Sequence, residues 1–158
     1  MFDGQKVSKS RIITSVDYSM VSMEAFEIYA ANHDIHVMDF VLKLDAYSYY
    51  MMNLLDYLIG NTDRHWGNWG FLVDNRTNQP VRLFDLMDLN QTFLAYDTPD
   101  GANCITTGNR KMSQREAAVE AVKNIGLNQK DEIKDEWFKG REEEREMFWC
   151  RFGILKEQ

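Results

Sequence analysis

Between Leu54 and Asn90 the chain reads LLDYLIGNTDRHWGNWGFLVDNRTNQPVRLFDLMDLN, and no other stretch constrains the fold so tightly. An apolar helical pattern stops at Gly60, and positions 61–68 then gather Asn61, Thr62, Asp63, Arg64, His65 and Asn68. So many polar groups in one loop are costly to bury unless they find partners. Two short apolar runs follow, Gly70 to Val73 and Val81 to Phe84, separated by Asp74-Asn75-Arg76-Thr77-Asn78-Gln79-Pro80. That string of turn formers predicts a hairpin. Beyond it stand Asp85 and Asp88, and the hairpin would return the chain so that one of these carboxylates faces the polar loop.

The segment before the loop predicts its support. From Asp45 onward, Tyr47, Tyr50, Met51, Leu54, Leu55, Leu58 and Ile59 fall on one helical stripe that should face a core. Gly60 supplies the stop. Asn53 and Asp56 fall on other faces and are expected in solvent. Further upstream, Ser22 is placed to cap a helix with Glu24 in its first turn and Phe26, Tyr29 and Ala30 on one side. Ile12-Ile13-Thr14 is a candidate edge strand or ordered arm. His33, Asp34, His36 and Asp39 cluster at a helix end, but their spacing is not a recognised metal-ligand pattern.

Downstream, Gln91 to Ala102, with Phe93, Tyr96 and the turn Thr98-Pro99-Asp100-Gly101, predicts an ordered loop. Ser113-Gln114-Arg115-Glu116 is a capping box that opens a helix presenting Ala117, Ala121, Val122 and Ile125 and ending at Gly126. Asp131 to Lys139 predicts a short helix with Ile133, Trp137 and Phe138 inward. Arg141 to Phe152 predicts a last helix, with Met147-Phe148-Trp149 in the core and Glu144 opposed by Arg141 and Arg145.

Composition narrows the function classes. At 158 residues with 44% hydrophobic and 13% aromatic content, the chain should fold as one domain. Its apolar runs are shorter than the roughly 20 residues of a membrane span, and its first residues lack a signal-peptide core, so a cytoplasmic location is expected. A net charge of -7 argues against a large nucleic-acid footprint. Cys104 and Cys150 lie far apart outside any CxxC spacing, as free thiols do, and make a zinc site improbable.

The polar loop has the composition that phosphoryl transfer requires: one carboxylate to orient or deprotonate the nucleophile, and oxygen ligands to hold magnesium against phosphates. Protein kinases place a catalytic Asp and a metal-binding Asn five positions apart in one loop, with a metal-binding Asp on a later element. Asp63 and Asn68 have that separation. LIGNTDRHWGNWGFLVDN followed by RLFDLMDLN resembles the C-terminal lobe of the HipA-like serine/threonine kinases, and Asp63-Arg64-His65-x-x-Asn68 is also similar to the lipid-kinase catalytic loop.

The resemblance implies a mainly α fold, a protein-kinase-like C-terminal lobe over residues 1–158 with a small β-hairpin between helices. It implies Asp63 as catalytic base, Asn68 as a magnesium ligand and Asp88 as the second metal-binding carboxylate. Asp85 is the alternative metal ligand. His65 and Asn61 would brace the loop beside the cofactor, and Arg64 would pair with a nearby carboxylate. Asp88 is favoured because Leu86-Met87-Asp88-Leu89-Asn90 is similar to the family's metal-binding segment, whereas Asp85 stands where the family often has a proline or another neutral residue. The implied cofactors are ATP and Mg2+, and the implied acceptor is a protein Ser or Thr hydroxyl.

Residues 1–44 contain a single glycine, Gly4, and Lys6, Lys9 and Lys43 lack the strand context of a phosphate-pairing lysine. A C-lobe that depends on a separate ATP-binding lobe is therefore the expectation. Two other readings compete with it. One is a non-catalytic interaction module that binds a partner such as the helix-turn-helix antitoxin of this family's toxin-antitoxin pairs. The other is a metal-dependent phosphohydrolase using His33, Asp34, Asp63 and His65. In the plainest reading the motif is only a polar turn, with Trp66 and Trp69 as packing anchors.

Overall fold

The computed structural model describes residues 13–89, 91–93, 99–108, 110–127 and 132–158. Ile12, Asn90, Tyr96, Thr98 and Asp131, which figure in the sequence reading, lie outside them. The hairpin forms where the turn formers place it, from strand β2 (Gly70–Asp74) and strand β3 (Gln79–Leu83), with a bulge between Leu72 and Val73. A third strand, β1 (Tyr18–Ser22), pairs antiparallel with β2, from Tyr18 opposite Asp74 to Ser22 opposite Gly70. The expected hairpin is thus two-thirds of a sheet in the order β1-β2-β3. Ile13 and Thr14 belong to no strand. The pairing partner is Tyr18-Ser19-Met20-Val21-Ser22, whose mixed polar composition carries weak strand propensity and whose place is decided by backbone pairing with β2.

Gly70 is required at the head of β2. A Cβ there would lie 2.1 Å from the Val21 carbonyl oxygen, a backbone atom that no rotamer change can move. Gly70→Ala is expected to cost at least the roughly 1–3 kcal/mol of overpacking. Urea unfolding would show this as a lower midpoint, and an unchanged midpoint would mean that β1 does not pair as described.

Helix α1 (Met23–Ala31) starts at Ser22, whose side chain accepts from Ala25 N as the sequence predicts. Helix α2 spans Val37–Ile59, longer than the segment expected from Asp45. His36 caps its start, with Nδ1 accepting from Asp39 N at 3.4 Å. Asp45 is non-helical (φ -156°, ψ 66°) and divides α2 in two. Its carboxylate accepts from Ser48 N at 3.2 Å, capping the second half, and from Leu83 N at 3.0 Å, which fastens the end of β3 to the kink. Gly60 ends α2 in the left-handed conformation (φ 58°).

The stripe read from sequence is only partly the buried face. Tyr50, Leu54 and Leu58 are buried, but Tyr47 is 59% and Met51 37% exposed. Tyr49, Met52, Asn53, Asp56 and Tyr57 are inside, so the expectation that Asn53 and Asp56 are solvated is wrong. The reason is that α2 packs against β3, α3 and α4 at once. A helix covered on several sides buries polar residues wherever partners await them, and a one-stripe pattern does not show this.

After the hairpin come the short strands β4 (Asn103–Cys104) and β5 (Met112–Ser113), paired with each other, and helix α3 (Gln114–Ile125). The capping box closes in both directions, with Ser113 N donating to Glu116 Oε2 at 2.7 Å and Glu116 N to Ser113 Oγ at 3.2 Å. Ala117, Ala118 and Ala121 bring α3 close to α2, Val122 and Ile125 are half-buried, and α3 ends at Gly126. The short helix expected over Asp131 to Lys139 is a single 3-10 turn, Asp135–Phe138, and its Trp137 is 59% exposed instead of inward.

Helix α4 (Glu142–Lys156) buries Phe148, Phe152 and Leu155, with Met147 and Trp149 half-buried. Glu144 pairs with Arg141 at 3.2 Å, but Arg145 reaches Asp135 instead, at 2.9 and 3.1 Å. The core joins Met23 and Phe26 of α1, the buried face of α2, Phe71 of β2, the alanines of α3 and the aromatic residues of α4. Among the described residues the fold is four α-helices with small antiparallel sheets. No described helix is long and apolar enough to cross a membrane.

Candidate functional site

Asp56 and Arg64 form the centre of the polar loop. Arg64 Nε donates to Asp56 Oδ2 at 2.8 Å and Nη2 to Oδ1 at 3.0 Å, a two-pronged ion pair with both side chains buried. Such a pair survives burial only when most of its remaining hydrogen-bonding capacity is also used, and here three further contacts use it. Asn61 Nδ2 donates to Asp56 Oδ1 at 2.9 Å, and Arg64 Nη1 donates to Asn68 O at 3.0 Å and to Met87 O at 2.8 Å. One guanidinium therefore ties together the end of α2, the far end of the loop and the segment that follows the hairpin.

Asn61 is fully enclosed at 0% exposure. Its N–H bonds Asp56 O at 2.8 Å, its Oδ1 accepts from Asp63 N at 3.2 Å, and its carbonyl accepts from Gln114 Nε2 at 2.6 Å. Its position is that of a brace. His65 is exposed; its N–H bonds Asp63 O at 2.9 Å and its Nδ1 accepts from Gly67 N at 3.0 Å, both within the turn. The loop is also moored to α1, where Met23 N donates to Trp69 O at 2.8 Å and Glu24 N to Trp66 O at 3.0 Å.

Within this frame two groups are left without partners. The Asp63 carboxylate is half-buried and makes no hydrogen bond or ion pair among the described residues. Asn68 donates through Nδ2 to Asp63 O, which sets the amide's orientation, and its buried Oδ1 has no hydrogen-bond partner among the described residues. The structure brings Asp63 and Asn68 together in one loop by that contact.

The two aspartates after the hairpin differ. Asp85 is engaged by Arg82, with Nη1 to Oδ1 at 2.6 Å. Asp88 is exposed, has a left-handed backbone (φ 54°) and follows directly on Met87, the residue held by Arg64. A positive φ is uncommon outside glycine, although Asp tolerates it better than most residues. Of the two, Asp88 is the one attached to the loop.

The His and Asp cluster near residue 33 dissolves. His33 Nδ1 bonds Tyr29 O at 2.8 Å and its ring stacks on Tyr29, while His36 caps α2. Among the described residues no three His, Cys, Asp or Glu side chains converge in a group that could hold a metal ion, so the hydrolase set of His33, Asp34, Asp63 and His65 is not assembled.

Asp56, Asn53 and Gln114 are the residues that sequence reasoning missed. The signal for Asp56 was present: Arg64 needed a carboxylate, and Asp56 is the acid closest before the Gly60 stop. Asn53 gave none, because its partners come from a distant loop. Its Oδ1 accepts from Thr106 Oγ1 and from the Cys104 thiol. Burial pushes the Cys104 thiol up and the neighbouring Tyr49 phenol up to about 12, so both stay protonated at neutral pH and neither offers an ionised nucleophile. No protein-family model, no curated protein and no solved structure matches the chain.

Proposed function

We propose that this chain is the catalytic lobe of an ATP- and magnesium-dependent kinase of the HipA-like class that phosphorylates Ser or Thr hydroxyls of a protein, working with an ATP-binding lobe outside the segments described. The observation that supports this best is the pair of unpartnered oxygens, the Asp63 carboxylate and the Asn68 Oδ1, in a loop whose surrounding polar groups are so extensively paired. A buried acceptor left unpaired costs about 1–3 kcal/mol. Such a cost is tolerated where a ligand or reaction supplies the missing partner.

The ligand chemistry fits magnesium. A carboxylate, Asp88, and an amide oxygen, Asn68, would together offer a sparse all-oxygen set, which suits an ion that keeps several waters and takes other ligands from phosphates. When bound, magnesium would neutralise charge on the nucleotide's phosphates. Asp63 would accept or orient the hydroxyl proton of the incoming Ser or Thr. Arg64 would act as a positioning residue, because its Nη1 bonds the carbonyls of Asn68 and of Met87, the residue before Asp88.

Isothermal titration of the chain with ATP, with and without magnesium, tests the proposal together with Asp88→Asn. Magnesium-dependent binding is expected, weakened about tenfold or more in the variant, in keeping with the loss of a charged metal ligand. Equal binding by Asp88→Asn would remove Asp88 from the metal site. Binding of neither nucleotide nor magnesium, even after an ATP-binding lobe is fused to the chain, would favour the interaction module instead.

A further inference from the structure

The Asp63 carboxylate makes no hydrogen bond or ion pair among the described residues, so no contact of its own fixes where it stands. Its place comes from its backbone, and that backbone is held on both sides. Asp63 N donates to Asn61 Oδ1 at 3.2 Å, while Asp63 O accepts from Asn68 Nδ2 and from His65 N, the latter at 2.9 Å. Asn61 is thus the hold on Asp63 from its N-terminal side.

Asn61 is itself tied at every polar group. Its N–H donates to Asp56 O at 2.8 Å and its Nδ2 to Asp56 Oδ1 at 2.9 Å, both at the end of α2. Its carbonyl alone is bound from afar, by Gln114 Nε2 at 2.6 Å across 53 residues of chain. Among the described residues no other group beyond the hairpin bonds Asn61, Thr62 or Asp63.

Gln114 is the first residue of α3 and is buried. Both ends of its amide are used, because Oε1 accepts from Ala102 N at 3.1 Å while Nε2 reaches Asn61. Gly101, in the left-handed conformation (φ 69°), makes room for it: a Cβ there would lie 2.6 Å from Gln114 Oε1. Opening α3 requires neither bond, since the box formed by Ser113 and Glu116 already closes the helix start. The Gln114 side chain is therefore committed to the loop and not to its own helix.

We propose that Gln114 is a positioning residue for Asp63, acting through the Asn61 carbonyl to fix the first half of the loop, so that the carboxylate stands where an incoming hydroxyl meets it. The inference rests on the kinase reading, in which Asp63 is the base. Misplacing a reacting group by about 1 Å can cost about 10²-fold in rate. Nucleotide and metal, which that reading assigns to Asn68 and Asp88, are held at the other end of the loop.

The test measures transfer to a protein hydroxyl by the full chain supplied with an ATP-binding lobe, comparing the unmodified protein with Gln114→Leu and Gln114→Glu across a range of pH. Gln114→Leu removes donor and acceptor together and is expected to lower kcat about tenfold, the scale of one hydrogen bond lost at the transition state. The KM for ATP should stay within about twofold, because ground-state binding is untouched. Gln114→Glu keeps the length of the side chain and its acceptor for Ala102 N, but when ionised it has no donor for Asn61 O; protonation supplies an O–H that donates. Its kcat relative to the unmodified protein is therefore expected to rise as pH falls through the titration of the new carboxyl, a response that a residue merely filling space would not give. This profile also decides the question if Gln114→Leu does not fold. A kcat for Gln114→Leu within about twofold of the unmodified protein, a loss confined to the KM for ATP, or a ratio for Gln114→Glu that does not change with pH would each overturn the inference and leave the kinase reading standing. No transfer by the unmodified chain would overturn that reading and this inference with it.

Discussion

On the proposed kinase activity, Asp63→Asn is expected to lower phosphoryl transfer about 10²- to 10⁴-fold, the usual contribution of a positioned general base, while leaving the fold intact. The two halves of that expectation have separate causes. Asn matches Asp in shape but cannot accept a proton, so the nucleophile's hydroxyl loses its acceptor at the transition state. The native carboxylate makes no hydrogen bond or ion pair among the described residues, so its replacement breaks no contact. The effect should therefore fall on kcat with little change in the KM for ATP, since a base acting only at the transition state contributes nothing to ground-state binding. The assay supplies the ATP-binding lobe, follows transfer to a protein hydroxyl, and monitors thermal unfolding in parallel. Full activity in the variant would end the assignment of Asp63 as base.

The second large effect lies earlier in the chain, at Asp56, and is the reverse in kind. Asp56→Ala leaves the Arg64 guanidinium buried without its counter-charge, and breaking a buried pair in this way costs about 3–5 kcal/mol. For a chain of this size each kcal/mol lowers Tm by about 2–4 °C, which gives a fall on the order of 6–20 °C. The loop should also lose its geometry, because Arg64 and Asn61 both take their positions from the Asp56 carboxylate. Replacing both partners, as Asp56→Leu with Arg64→Met, should recover much of the stability, since similarly shaped apolar pairs often replace buried ion pairs without loss. It should not restore nucleotide binding, because the contacts to Asn68 O and Met87 O go with the guanidinium. An Asp56→Ala variant that melts with the unmodified chain would show that the pair does not organise the fold. The two substitutions thus separate chemistry from scaffold: Asp63→Asn spares Tm, and Asp56→Ala does not.

Local signals in the sequence were legible wherever one residue and its near neighbours decide the outcome. Ser22 and the box at Ser113 to Glu116 cap their helices, Gly60 and Gly126 end theirs, and the turn formers between Val73 and Val81 make the hairpin. Each depends on a hydrogen bond or a backbone dihedral within about four residues. The break at Asp45 was visible as a helix start; that a helical segment already precedes it was not, because the cap comes from the His36 imidazole, an unusual capping group. The stripe on α2 failed where Tyr47 and Met51 turned out exposed, because periodicity reports one covered face and α2 is covered on several.

What the sequence determined by itself is the inventory and spacing of the loop, Asp63 and Asn68 five residues apart behind a helix stop and ahead of a hairpin, together with the caps and turns that set the order of elements. What only the tertiary structure decided is which carboxylate Arg64 takes, that β1 completes the sheet, and that Asp88 is tethered to the loop through Met87 while Asp85 is engaged by Arg82. The physical reason is distance along the chain. Caps and turns are satisfied by neighbours, whereas a buried charge or an unpaired strand edge is satisfied by whichever group the fold brings near, and in this chain those groups lie 8 residues away for Asp56 and Arg64, 23 for Arg64 and Met87, and 53 for Asn61 and Gln114.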